Sequence, residues 1–105
     1  MIVAFSISPG TGDETGGVSE AVAEAVRVVR ASGLPCETNA MFTNIEGEWD
    51  EVMSVVKQAV DVVAASSPRV GLVLKADIRP GYTGQLTAKV EHVESHLAEG
   101  GVDRV

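Results

Sequence analysis

The stretch Cys36-Glu37-Thr38-Asn39-Ala40-Met41-Phe42-Thr43-Asn44-Ile45-Glu46 decides the fold. It is short, mixed in polarity and rich in Thr and Asn, a composition that fits two short strands joined by a bend near Ala40 to Phe42. Two strands in succession at this point, with a helical pattern on either side, set the order of everything else.

Upstream, Val18, Ala21, Val22, Ala25, Val28 and Val29 recur at helical spacing, with Glu20, Glu24, Arg27 and Arg30 on the other side. Gly33 supplies the C-terminal stop before Pro35. Before that helix, Ile2 to Ser8 alternates: Val3, Phe5 and Ile7 point one way, Ala4, Ser6 and Ser8 the other, which predicts a first strand. Pro9 and the run Gly10 to Gly17 break the alternation and predict a loop.

Downstream, the helical period returns from Glu48 to Ala65 through Trp49, Val52, Val56, Val60 and Val63. Glu48, Asp50 and Glu51 fall in its first turn, where carboxylates complement the helix dipole. Ser66-Ser67-Pro68 ends that helix, and Arg69 to Arg79 alternates Val70, Leu72, Leu74, Ala76 and Ile78 against Gly71, Val73, Lys75, Asp77 and Arg79. Pro80-Gly81 then turns the chain into a third helix with a narrow apolar stripe of Leu86, Val90, Val93 and Leu97, fraying after Glu99.

The order β-α-β-β-α-β-α predicts an α/β (α+β) fold, a ferredoxin-like βαββαβ sandwich with an additional C-terminal helix, formed by one domain over residues 1–105. Two helices then cover one sheet face, over Val3, Phe5, Ile7 and the row Val70, Leu72, Leu74. The other face carries Ala4, Ser6, Ser8, Gly71, Val73, Lys75 and Asp77. Its small, mixed residues are expected to pack against a second subunit rather than stand in water, the third helix covering part of this face or packing on a neighbour.

The chain of 105 residues has a net charge of -7 and no basic cluster, which argues against nucleic acid and acidic membranes as partners. An acidic surface tolerates a small organic cation without requiring one. The single Cys36 cannot form an internal disulfide, and neither a basic leader nor a span-length apolar run is present. A reducing cytoplasm is the expected location.

The stretch Thr43-Asn44-Ile45-Glu46-Gly47-Glu48-Trp49-Asp50-Glu51-Val52 resembles the T-x-I-E-G-x-W-x-E-V signature of the small thiamine-binding protein family related to YkoF. The opening Met1 to Pro9, Val18-Ser19-Glu20 and Ser32-Gly33-Leu34-Pro35 resemble the same family in the same order. The resemblance implies a ferredoxin-like fold, homodimers or homotetramers joined through sheet faces, and binding of thiamine or its hydroxymethylpyrimidine moiety without known chemistry. The chain departs from the family at Ala40 and Phe42, where Pro and Gly are common, and in its longer first loop.

Thiamine presents a flat aminopyrimidine with a donor and ring acceptors, joined to a cationic thiazolium. The residues that suit it are Ser6, Asn39, Thr43 and Asn44 for hydrogen bonds, Met41, Phe42 or Trp49 for stacking, and Glu46 for charge. A cation over a ring gains about 0.5 to 2 kcal/mol, against roughly 8 kcal/mol for micromolar affinity, so several contacts must act together. Each residue also has a structural role open to it: Trp49 in the core of the second helix, Glu46 and Gly47 shaping the start of that helix, Thr43 at a strand end, Ser6 at an interface and Asn39 in a turn.

Other motifs lead nowhere. Gly12 to Ser19 has the glycine spacing of a phosphate loop, but Val18 stands where its lysine belongs. His92 and His96 lie four apart on the third helix, and two ligands do not make a metal site. Cys36 is expected to be a buried strand residue. No nucleophile has a base beside it in sequence, so no catalytic residue, metal or cofactor is predicted. The leading expectation is a non-catalytic thiamine carrier or sensor. The alternatives are a ligand-free oligomeric assembly module that docks a partner protein, and a small enzyme using Glu46 or Asp77 as acid or base.

Overall fold

Residues 1–10 and 18–99 are described by a computed structural model, and the glycine-rich stretch 11–17 and the tail from residue 100 lie outside them. The elements are β1 (Ile2–Pro9), α1 (Val18–Ala31), β2 (Cys36–Thr38), β3 (Thr43–Glu46), α2 (Trp49–Ala64), β4 (Val70–Asp77) and α3 (Gln85–Glu99). The strands form one antiparallel sheet in the order β2-β3-β1-β4. This is the ferredoxin-like βαββαβ arrangement with an added C-terminal helix.

Cross-strand register puts the alternation of β1 to use. Phe5 lies opposite Thr43 on one side and Leu74 on the other, and Val3 lies opposite Ile45 and Ala76, so these residues share the face that the helices cover. Val3, Phe5, Ile7 and Ile45 are buried there beneath Ala25 and Val29 of α1 and Val52, Val55, Val56, Ala59 and Val63 of α2. A core of Val, Ala and Ile with one Phe matches a chain with little aromatic content.

Turn chemistry closes the elements. Gly33 follows α1 with φ of 77°, left-handed backbone that favours glycine. Arg79-Pro80-Gly81-Tyr82 turns the chain after β4, with Gly81 at φ 83° and the Tyr82 N–H donating to the Arg79 carbonyl at 3.2 Å. The Arg79 guanidinium lies 3.5 Å from the Tyr82 ring centroid.

Three expectations are corrected. Trp49 does not join the core stripe; it is the first residue of α2 and 54% exposed, because a helical side chain leans toward the N-terminus and here overhangs the helix end. Leu72 shares the helix-side face but is 43% exposed, because β4 is the sheet edge and α2 reaches it only in part. Cys36 is half-buried rather than buried, on the edge strand β2. The third helix buries no residue: Val90 and Val93 of its apolar stripe are exposed, and it meets the sheet at the Glu46 end of β3. Much of the second sheet face therefore stays open within one protomer.

Candidate functional site

A cleft of about 200 Å³ opens where the β2–β3 hairpin faces α1. Phe5 and Ile7 of β1 form its floor, Val22, Ala25 and Val26 of α1 one wall, and Thr38 to Thr43 the other. Val22 belongs to the apolar stripe of α1 yet is exposed, because it borders this cleft instead of the closed core.

Asn39 builds the hairpin wall. Its side-chain carbonyl accepts hydrogen bonds from the N–H groups of Met41 and Phe42, both at 2.9 Å, while its own N–H donates to the Phe42 carbonyl at 2.9 Å. This Asx-type turn holds the loop against the strand ends and leaves the Asn39 amide nitrogen without a partner among the described residues. Across the strands, the Thr38 and Thr43 hydroxyls meet at 3.3 Å, on the helix-side face with Phe5. Met41, 72% exposed, and the half-buried Phe42 supply soft and aromatic surface at the rim.

Four of the seven residues that the sequence pointed to therefore gather here: Ser6, Asn39, Met41 and Thr43, with Phe42 beside them. Ser6 borders the cleft between Phe5 and Ile7, although its place in the strand alternation belongs to the open face. Val22, Ala25, Val26 and Thr38 were not singled out as site residues. The strand–helix order, which sets α1 above the hairpin, is the signal that could have found them.

The other three stand elsewhere. Asn44 faces the open side and donates to Glu37 Oε1 at 3.2 Å. Trp49 sits at the start of α2. Glu46 is buried, 5% exposed, and both carboxylate oxygens are engaged: Oε2 accepts from the Gln85 N–H at 2.9 Å and Oε1 from the Leu86 N–H at 3.0 Å. It caps α3. The part of Glu46 in shaping the local helix start falls to its neighbours, the Glu51 carboxylate accepting from the Glu48 N–H at 3.1 Å.

The electrostatics separate two ends of the molecule. Among the described residues, the lining of the first cleft carries no charged side chain and no histidine or cysteine. A second cleft of about 220 Å³, at the other end of β3, is lined by Glu46, Glu48, Glu51 and Tyr82. Its acids are partly spent on helix starts, as above. Lys89 pairs with Asp77 nearby, and that hydrogen bond and charge, with a smaller contribution from Arg79, hold the Asp77 carboxyl below the usual carboxylate range. His92 and His96 meet edge to face with 3.1 Å between their Nε2 atoms, and no three His, Cys, Asp or Glu gather as metal ligands among the described residues.

Comparison with known proteins gives the chain its relatives. The profile of the family described as thiamine-binding protein matches residues 3–94. A UPF0045 protein of Mycobacterium bovis is 57% identical over 99 residues, covering 92% of this chain and 94% of that one. Among solved structures, the hypothetical protein MJ1052 of Methanocaldococcus jannaschii superposes with a TM-score of 0.79 at 31% identity, covering 89% of this chain and 94% of the other. A Thermotoga maritima protein whose name assigns it provisionally to thiamine biosynthesis or salvage superposes with a TM-score of 0.72 over 86% of this chain and 96% of its own. At 24% identity this last likeness bears on the fold alone.

Proposed function

The chain belongs to the thiamine-binding protein family, and from that premise we propose that it is a non-catalytic carrier or sensor that holds the hydroxymethylpyrimidine ring of thiamine, or that pyrimidine alone, in the cleft between α1 and the β2–β3 hairpin. The observation that carries this reading is the meeting of Asn39, Thr43, Met41 and Phe42 around a cleft that is uncharged among the described residues. The hydroxyls of Thr38 and Thr43 and the Asn39 amide suit the donor and acceptor edge of an aminopyrimidine, and the Phe42 ring and Met41 thioether suit its face.

Size and charge narrow the ligand. A cleft of about 200 Å³ is smaller than the roughly 300–1,000 Å³ of drug-sized sites, which favours one ring over two. With no carboxylate in the lining among the described residues, the thiazolium of an intact thiamine extends toward solvent, drawn by the overall charge of -7. Among the described residues the lining offers hydroxyls and an amide with no acid or base beside them, which suits binding over turnover. The chain acts as one binding domain and assembles through its open sheet face and the exposed stripe of α3.

Calorimetry with thiamine, hydroxymethylpyrimidine and hydroxyethylthiazole tests the proposal. Heat is expected for the first two and none for the third. Binding of the thiazole alone, or of none of the three to folded protein, overturns it. The exposed stripe of α3 favours a second reading, an assembly module that docks a partner protein. Under that reading the oligomer forms and no pyrimidine binds.

A further inference from the structure

The third helix carries chemistry that neither cleft uses. Its first turns are held by the Glu46 carboxylate, which accepts from the Gln85 and Leu86 N–H groups, and by the pair of Lys89 with Asp77. Beyond these contacts, His92 and His96 stand four residues apart, both exposed, on a helix that buries none of its residues. Their rings meet edge to face with centroids 4.6 Å apart, and their Nε2 atoms are 3.1 Å apart.

We propose that His92 and His96 form an open two-histidine chelate for a divalent late transition-metal ion, Zn²⁺ or Ni²⁺, and that the bound ion staples the C-terminal half of α3 in its helical form. This site is separate from the pyrimidine cleft and does not depend on its ligand.

The separation of the nitrogens carries the inference. Metal–imidazole bonds of about 2.0–2.1 Å set two nitrogens on one ion about 2.9 Å apart at a right angle and about 3.4 Å apart at the tetrahedral angle. The 3.1 Å between the two Nε2 atoms falls in that interval, so a small rotation of two exposed rings aims both lone pairs at one ion. Without metal, a proton occupies the gap, one ring donating its N–H to the lone pair of the other. The ion displaces that proton and holds both rings in their neutral form.

The surroundings favour a cation of this class. His96 Nδ1 lies 3.9 Å from Oε2 of Glu99, one turn further on. A carboxylate on that side favours the tautomer protonated at Nδ1 and leaves Nε2 free to ligate, the arrangement common to metal-bound histidines. Lys89, one turn before His92 on the same side, has its charge matched by Asp77. Imidazole nitrogen suits Zn²⁺ and Ni²⁺, whereas Mg²⁺ and Ca²⁺ take oxygen ligands. No third His, Cys, Asp or Glu completes a ligand set among the described residues, so water takes the remaining positions and the site stays open. The pair lies about 100° round the helix from the stripe of Leu86, Val90, Val93 and Leu97, and cover over that stripe leaves it accessible.

Calorimetry of the metal-free, full-length chain with ZnCl₂ and with NiCl₂ tests the proposal, in a Cys36→Ser background so that the thiol does not compete and with folding checked by circular dichroism. One ion per chain is expected, and MgCl₂ is expected to give no heat. His92→Ala and His96→Ala are each expected to weaken binding about tenfold or more, since each leaves a single donor. Combining Glu91→His with His92→Glu keeps composition and charge but turns one ring about 100° away, and is expected to weaken binding to the same degree. Because the unwound segment does not hold the two rings together, amide exchange at His96 and Leu97 is expected to slow by up to about a hundredfold at an ion concentration of about 100 Kd, and to be unaffected in the exchanged variant. Binding that is unchanged in all three variants, as an ion held by the acids of the second cleft would give, overturns the proposal. So does binding without slower exchange in α3, or no binding of either ion to folded protein at millimolar concentration.

Discussion

Glu46 and Asn39 were read from the sequence as residues of the same kind, polar groups for a ligand with structural roles open to both, and three-dimensional structure separates them. The partners of Glu46 are 39 and 40 residues away in the chain, so its capping of α3 has no local signature. Glu46→Ala frees two helix N–H groups; a loss of about 1 to 2 kcal/mol is expected, seen as faster amide exchange at Gln85 and Leu86, with pyrimidine affinity unchanged. Asn39 satisfies its turn locally, which is why the Asn-rich segment was legible as a bend. Asn39→Ala removes two hydrogen bonds from the cleft wall, and about a tenfold loss of pyrimidine affinity is expected by calorimetry with the fold retained.

At the scale of elements, the alternation of β1 and the 3.6-residue period of α1 and α2 gave their positions and buried faces, because burial on one face imposes periodicity on the sequence. Val52, fully buried in α2, shows what that burial contributes: Val52→Ala is expected to lower unfolding free energy by about 2 kcal/mol in urea titration. Periodicity failed at Trp49, and along α3 it marks a stripe that is exposed within one protomer. An apolar stripe records that a face is suited to burial, and cannot say whether the cover comes from the same chain.

The docking of α3 is also where pH acts. Lys89 holds the Asp77 carboxyl below its ordinary value, so the pair supports the folded state above about pH 4 and its contribution is lost as pH falls through the lowered value. Amide protection in the first turn of α3 is expected to hold at neutral pH and to decline in acid, and Asp77→Asn is expected to remove that step. Constant protection down to the acid unfolding of the whole chain would contradict it.

For the molecule as a whole, net charge argued against polyanionic partners, and element order gave the fold, both being properties that sum along the chain. The cleft is not such a property. Its walls come from β1, α1 and the β2–β3 hairpin, and only folding brings Val22 beside Thr38. Because the described lining is uncharged, pyrimidine affinity is expected to vary little between low and moderate salt, whereas intact thiamine is expected to weaken somewhat as salt screens the acidic surface.

The central claim is the location of the pyrimidine, and an amide chemical-shift titration of the labelled protein with hydroxymethylpyrimidine tests it most directly. Saturating shifts at Val22, Ala25 and Thr38 to Thr43, with Glu48, Glu51 and Tyr82 to Gly84 unmoved, are the predicted result. Shifts confined to the acidic cleft at the far end of β3, or none at millimolar ligand, would contradict it.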